Sequence, residues 1–127
     1  SKEEIYYPYT YVAVSAGFLE KNRNSIPPFL AAAVEGIHRF KTDKTFAKKV
    51  MAKYLRIEDD KLLEETHQLF SELFETAPYI KREGLISLVQ ILAEKDPKVA
   101  AVRIDSIVED RFVRELEMNG FIKNLYR

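Results

Sequence analysis

The chain has 127 residues, 46% hydrophobic and 31% charged, with 20 Lys plus Arg against 20 Asp plus Glu and no cysteine. That is enough for one domain with a core, in a globular rather than disordered or membrane-spanning composition. Zero net charge speaks against a broad electrostatic footprint for nucleic acid or anionic lipid, and the lack of cysteine excludes disulfides, a thiolate nucleophile and zinc fingers.

The first element is predicted as a strand in "YYPYTYVAVSAG", residues 6–17. From Tyr9 to Val14 both faces are apolar or aromatic, the pattern of a strand covered on both sides. No second strand of comparable quality follows, so its sheet partners are expected to lie elsewhere. "SAGFLEKN" (15–22) predicts one or two helical turns. Asn24 or Ser25 then caps a helix with Pro27 and Pro28 in its first turn, where missing N–H groups matter least. Its apolar positions are Ile26, Phe29, Leu30, Ala33, Val34, Ile37 and Phe40, the spacing of one face.

Asp43 is the cap of the next helix, which carries Phe46, Val50, Met51, Tyr54 and Leu55. Asp59 and Asp60 suit the positive end of a following helix, with Leu62, Leu63, Thr66, Leu69, Phe70, Leu73 and Phe74 facing inward. Pro78 ends it. Residues 82–94 predict a further helix with Leu85, Leu88, Val89 and Leu92 inside, and "EKDPK" a loop. Ser106 with Glu109 fits a capping box opening a last helix with Ile107, Phe112, Val113 and Leu116. Asn119-Gly120 closes that helix, with Phe121 and Ile122 as the hydrophobic contact of a Schellman ending. The fold class is therefore mainly α as an isolated chain, with one N-terminal β-strand.

Both histidines stand in Glu-x-x-His patterns, Glu35 to His38 and Glu64 to His67. On two helices that spacing is a di-iron signature. The faces argue against it: Glu64 and His67 lie opposite the Leu63/Phe70/Leu73 stripe, Glu35 and His38 flank Val34/Ile37, and no further inward glutamates complete a set. Surface histidines, with no metal and no cofactor, are the expectation. The basic run 38–56 reads as the solvated side of an amphipathic helix. No phosphate loop and no nucleophile elbow is present, and no catalytic activity is expected.

The order of these stretches carries a resemblance. A strand leading into "GFLEKN", then "IPPFLAAAVEGIHRFKTDKTFAKKVMAKYL", "IEDDKLLEETHQLF" and "VEDRFVRELEMNGFI", resembles the C-terminal part of ABC-importer substrate-binding proteins of the nitrate/sulfonate/taurine type, a branch that includes thiamine-pyrimidine-precursor binders. The resemblance spans nearly the whole chain and rests on helical pattern. It implies one portion, 1–127, of a two-lobed α/β fold of the periplasmic-binding-protein type II, with 1–16 the strand crossing between lobes and 17–127 the helical part. It implies capture of a small solute for uptake, an ABC permease as partner, and a periplasmic or extracytoplasmic location.

Tyr9, Thr10 and Tyr11, on the crossing strand, are the implied ligand contacts. Alternatives are part of an enzyme similar to thiamine-pyrimidine synthases, or an independent helical interaction module. Ser1-Lys-Glu-Glu, with no initiator Met, is expected to be a mature or partial start. The two-sided strand at 9–14, lacking its sheet, is expected to pair with its twin in a homodimer.

Overall fold

A computed structural model describes residues 10–127. Among them every regular element is a helix: α1 (Ala16–Lys21), α2 (Ile26–Thr42), α3 (Lys44–Leu55), α4 (Asp60–Leu73), α5 (Arg82–Ala93), a 3-10 helix (Pro97–Ala101), α6 (Ile104–Ile107), α7 (Arg111–Met118) and α8 (Phe121–Leu125).

Local chemistry sets the starts of α1, α3 and α4. The Ser15 side chain accepts from the Phe18 N–H at 3.1 Å, Asp43 from the Phe46 N–H at 3.0 Å, and Asp59 from the N–H groups of Lys61 and Leu62 at 2.9 and 3.0 Å. Each satisfies orphan donors of a first turn. Asp43 is also the last residue of α2's ladder, its N–H bonding Arg39 O, so α2 and α3 share one pivot residue.

The long α2 is the hub, packing against α3, α4, α7 and α8. Val34 in its middle is fully buried against Leu116 of α7 and Ile122 of α8, enclosed by Leu30, Ala31, Ala77, Phe121 and Leu125. The chain doubles back from α7 to α8 at Gly120, whose φ of 82° is a conformation that side-chain-bearing residues rarely adopt. On the other side of α2, α3 lies on α4, with Ala47, Met51, Leu63 and His67 buried. Farther along the chain, α5 packs against the 3-10 helix and α6.

Three expectations are corrected. First, no strand occurs among the described residues. Thr10 to Val14 lie outside any regular element, with Val12 and Val14 exposed, and Tyr9 lies outside the described residues. A strand exists only as part of a ladder, and this stretch meets no partner strand here.

Second, α4 is rotated relative to the predicted face. Leu62, Leu69 and Leu73 are exposed, while Leu63 and His67 are buried and Thr66, Phe70 and Phe74 are half-buried. The stripe that meets α2 and α3 is 63, 67, 70, 74, and the histidine ring completes it. Third, Ser106 lies inside α6 and its hydroxyl donates to Arg103 O at 2.6 Å. The capping box is therefore not made, and α7 starts at Arg111 instead. Beyond Gly120, its N-cap, the chain continues as α8, and the Asn119 side chain accepts from the Phe121 N–H at 3.0 Å.

Candidate functional site

The densest polar chemistry lies where the C-terminal end of α2 crosses α4. The last four carbonyls of any helix lack partners inside it. Here each helix supplies a side chain to the end of the other. His67 of α4 places Nε2 2.8 Å from Phe40 O, near the end of α2, so that this nitrogen carries the proton and donates. Lys41 of α2 reaches the other way, donating from Nζ to Ser71 O at 2.6 Å and Phe74 O at 2.7 Å. A cation there also meets the negative end of the α4 dipole. Phe40 lies 5.0 Å from the His67 ring and 5.4 Å from Phe74, and Phe74 lies 5.5 Å from Phe70. The crossing is thus a polar exchange wrapped in aromatic rings.

Next to it, Lys44 donates to one oxygen of Glu64 at 2.7 Å. Lys48 bridges Glu64 at 3.2 Å and Asp60 at 2.7 Å. The hydrogen bond from Lys44, and then that from Lys48, holds the Glu64 carboxyl below its ordinary range; the bond to Asp60 raises Lys48. The basic run is therefore not simply a solvated face. Lys41, Lys44 and Lys48 turn to α4, while Lys49 and Lys53 stay in solvent.

Two open grooves flank α2. One, of about 430 Å³, is lined by Lys41, Lys44, Glu64, His67, Gln68 and Ser71 among others. Lys41, Lys44, Glu64 and His67 there are engaged with one another's helices through backbone carbonyls and ion pairs. The other, of about 370 Å³, lies between α2 and α3 and is mostly apolar, with Ala32, Gly36, Phe40, Phe46, Ala47 and Val50 in its lining. Arg39 borders it, bonded to Asp43 at 3.3 Å and stacked 4.1 Å above the Phe46 ring.

The two Glu-x-x-His pairs do not converge. Glu35 lines the apolar groove and Glu64 the polar one. His38 is half-buried, edge-on to Tyr126 at 4.7 Å. Neither histidine is the plain surface residue expected, and His67 is the clear correction: it is 7% exposed and structural. Among the described residues no group of three or more His, Cys, Asp or Glu stands close enough to share a metal ion. Of the expected ligand contacts, Thr10 and Tyr11 are exposed on the segment before α1 and line neither groove, and Tyr9 lies outside the described residues. No described helix is long and apolar enough to cross a membrane.

Sequence reasoning missed the reciprocal pair Lys41 and His67. The available signal was that Lys41 falls in the last turn of a predicted helix and His67 between Leu63 and Phe70. No protein family, curated protein or solved structure matches the chain.

Proposed function

We propose that this chain is the C-terminal helical portion of an ABC-importer substrate-binding protein of the nitrate/sulfonate/taurine type. It works without catalysis, outside the cytoplasm, delivering a small solute to a membrane permease. In the complete protein Tyr9, Thr10 and Tyr11 stand on the strand that crosses between lobes and face the solute. The stretches from "GFLEKN" to "MNGFI" are the source of this reading.

The observation that supports it is the apolar groove between α2 and α3. Gly36 lies inside α2, where glycine is about 1 kcal/mol worse than alanine, and a Cβ there would meet nothing within 4 Å. No close approach among the described residues calls for glycine at that position. A surface packed on the groove from outside would, and Phe46 on the groove with Phe29 about two turns before Gly36 on α2 are 41% and 52% exposed, ready to be covered. A lobe sheet of the parent protein is such a surface.

The test is calorimetric titration with nitrate, taurine, alkanesulfonates and pyrimidines, on this chain and on the protein encoded by the reading frame that contains it. Micromolar binding of one of these by the encoded protein, with flat titrations for the chain alone, is the expected result. A reading frame with no binding lobe, or one whose lobe carries a histidine- and metal-linked active site, would overturn it. Alone, the chain is expected to dimerise through residues 9–14. A monomer in sedimentation at tens of micromolar, roughly the range of transient affinities, would remove that part.

A further inference from the structure

We infer that residues 82–107 form an arm that opens and closes as one unit on the rest of the molecule, with Arg82 as its latch. The inference stands apart from the proposed transport role and starts from where apolar contact is made. The arm folds on itself: α5 ends at a turn in which the N–H groups of Lys95 and Asp96 bond Leu92 O. Asp96 then caps the 3-10 helix through the Lys98 N–H at 3.0 Å. That helix and α6 both return to α5.

Inside the arm only Gly84 and Leu85 are buried, and Ile86, Ile91, Leu92, Val102 and Ile107 are exposed. The body, by contrast, holds Val34, Leu116, Ile122, Ala47, Met51 and Leu63 out of water. Segments with few buried apolar contacts open at lower free energy than the core, and they do so as contiguous units.

The joint combines half-buried apolar residues such as Ala77, Ile80 and Val108 with specific polar ties. Residues 74–81 and 108–110, which carry no helix, lead into and out of the arm. Across this joint one guanidinium spans two carboxylates. Arg82 donates from Nε to Asp105 of α6 at 3.0 Å and from a terminal nitrogen to Asp110, just before α7, at 3.1 Å. Asp105 lies within the arm, so Asp110 is the half of the fork that ties arm to body. Tyr79, which donates to Glu117 of α7 at 2.6 Å, fixes the near side of the joint to the body. In the tie itself the Arg82 side chain is 47% exposed and Asp110 11%, so the guanidinium stands half in water and salt screens the pair in part.

Native-state hydrogen exchange read by mass spectrometry tests this. Amides of 85–101 are expected to exchange as a block, about tenfold or more faster than those of 30–41 and 63–72. Asp110→Asn is expected to speed the arm severalfold and leave the body unchanged. Raising salt on the unaltered chain is expected to act in the same direction and more weakly, because Asp110 is largely shielded, which keeps the test decisive if the variant folds poorly. Equal exchange in arm and body would overturn the inference. So would salt, or Asp110→Asn, accelerating both alike, since the ion pair would then belong to global stability.

Discussion

The α2–α4 crossing and the Arg82 joint both use a basic side chain that reaches two oxygens, yet they are built for different ends. At the crossing the oxygens are helix-end carbonyls, Ser71 O and Phe74 O for Lys41, with the His67 bond to Phe40 O beside them and aromatic rings around. At the joint they are carboxylates, that of Asp105 in the arm largely in water and that of Asp110 beside α7 only 11% exposed. A backbone carbonyl cannot leave its helix, and once buried it must be paired. A side-chain carboxylate, unlike a helix carbonyl, is free to rotate toward water when its partner departs. The first arrangement fixes an angle between helices; the second can be released.

The largest effect that would sharpen this contrast is Leu116→Ala. Leu116 is 7% exposed and packs on Val34 and Ile122, and its truncation should cost about 2 to 5 kcal/mol in urea unfolding. Ile91→Ala in the arm, 43% exposed, should fall within about 0.5 kcal/mol. Equal losses would erase the distinction between body and arm.

Next is His67→Ala, which strips Phe40 O of its donor and should cost about 1 to 3 kcal/mol. Leu69→Ala, 54% exposed, should be near neutral, within about 0.5 kcal/mol. A reversal of that order in thermal melts would restore the face that hydrophobicity alone suggests for α4. Smaller, and of opposite sign, is Gly36→Ala: with space for the methyl, it should raise the stability of the isolated chain by about 0.5 to 1 kcal/mol. In the proposed parent the same change should weaken assembly, because the groove is then occupied.

The smallest effect concerns pH. Lys44 first and Lys48 second hold the folded Glu64 carboxyl below its ordinary value. Its contribution is therefore present above the ordinary carboxylate range and lost as pH falls through the lowered folded value. Glu64→Gln should flatten the acid limb of stability against pH slightly, and added salt should do the same. An unchanged limb would show that the Lys44–Glu64–Lys48 network does not contribute.

Much of the fold was legible because it is local. The caps at Asp43 and Asp59, the prolines that open α2 and the end of α4 before Pro78 depend on neighbours a few residues away, whereas Ser25 makes no side-chain cap on α2. The misreadings share one cause. Ser106 and Glu109 satisfy a local capping pattern, but the chain closes α6 over Ser106 first. Leu62, Leu69 and Leu73 are as apolar as the residues buried beside them, so periodicity could not choose between two adjacent stripes of α4. The strand at Tyr9–Val14 was read from its alternation, yet alternation specifies faces and not a partner.

The sequence by itself determined that this protein is helical, where most helices begin and that α2 carries an apolar face, because propensity, caps and periodicity act within a few turns. Tertiary structure alone decided which side of α4 is buried, and that a histidine and a lysine exchange places at two helix ends. It also decided that Ile86, Ile91 and Leu92 of α5 stay exposed. The α2–α4 outcomes depend on groups 27 to 33 residues apart meeting at hydrogen-bond distance, and a buried carbonyl accepts whichever donor the fold brings to it.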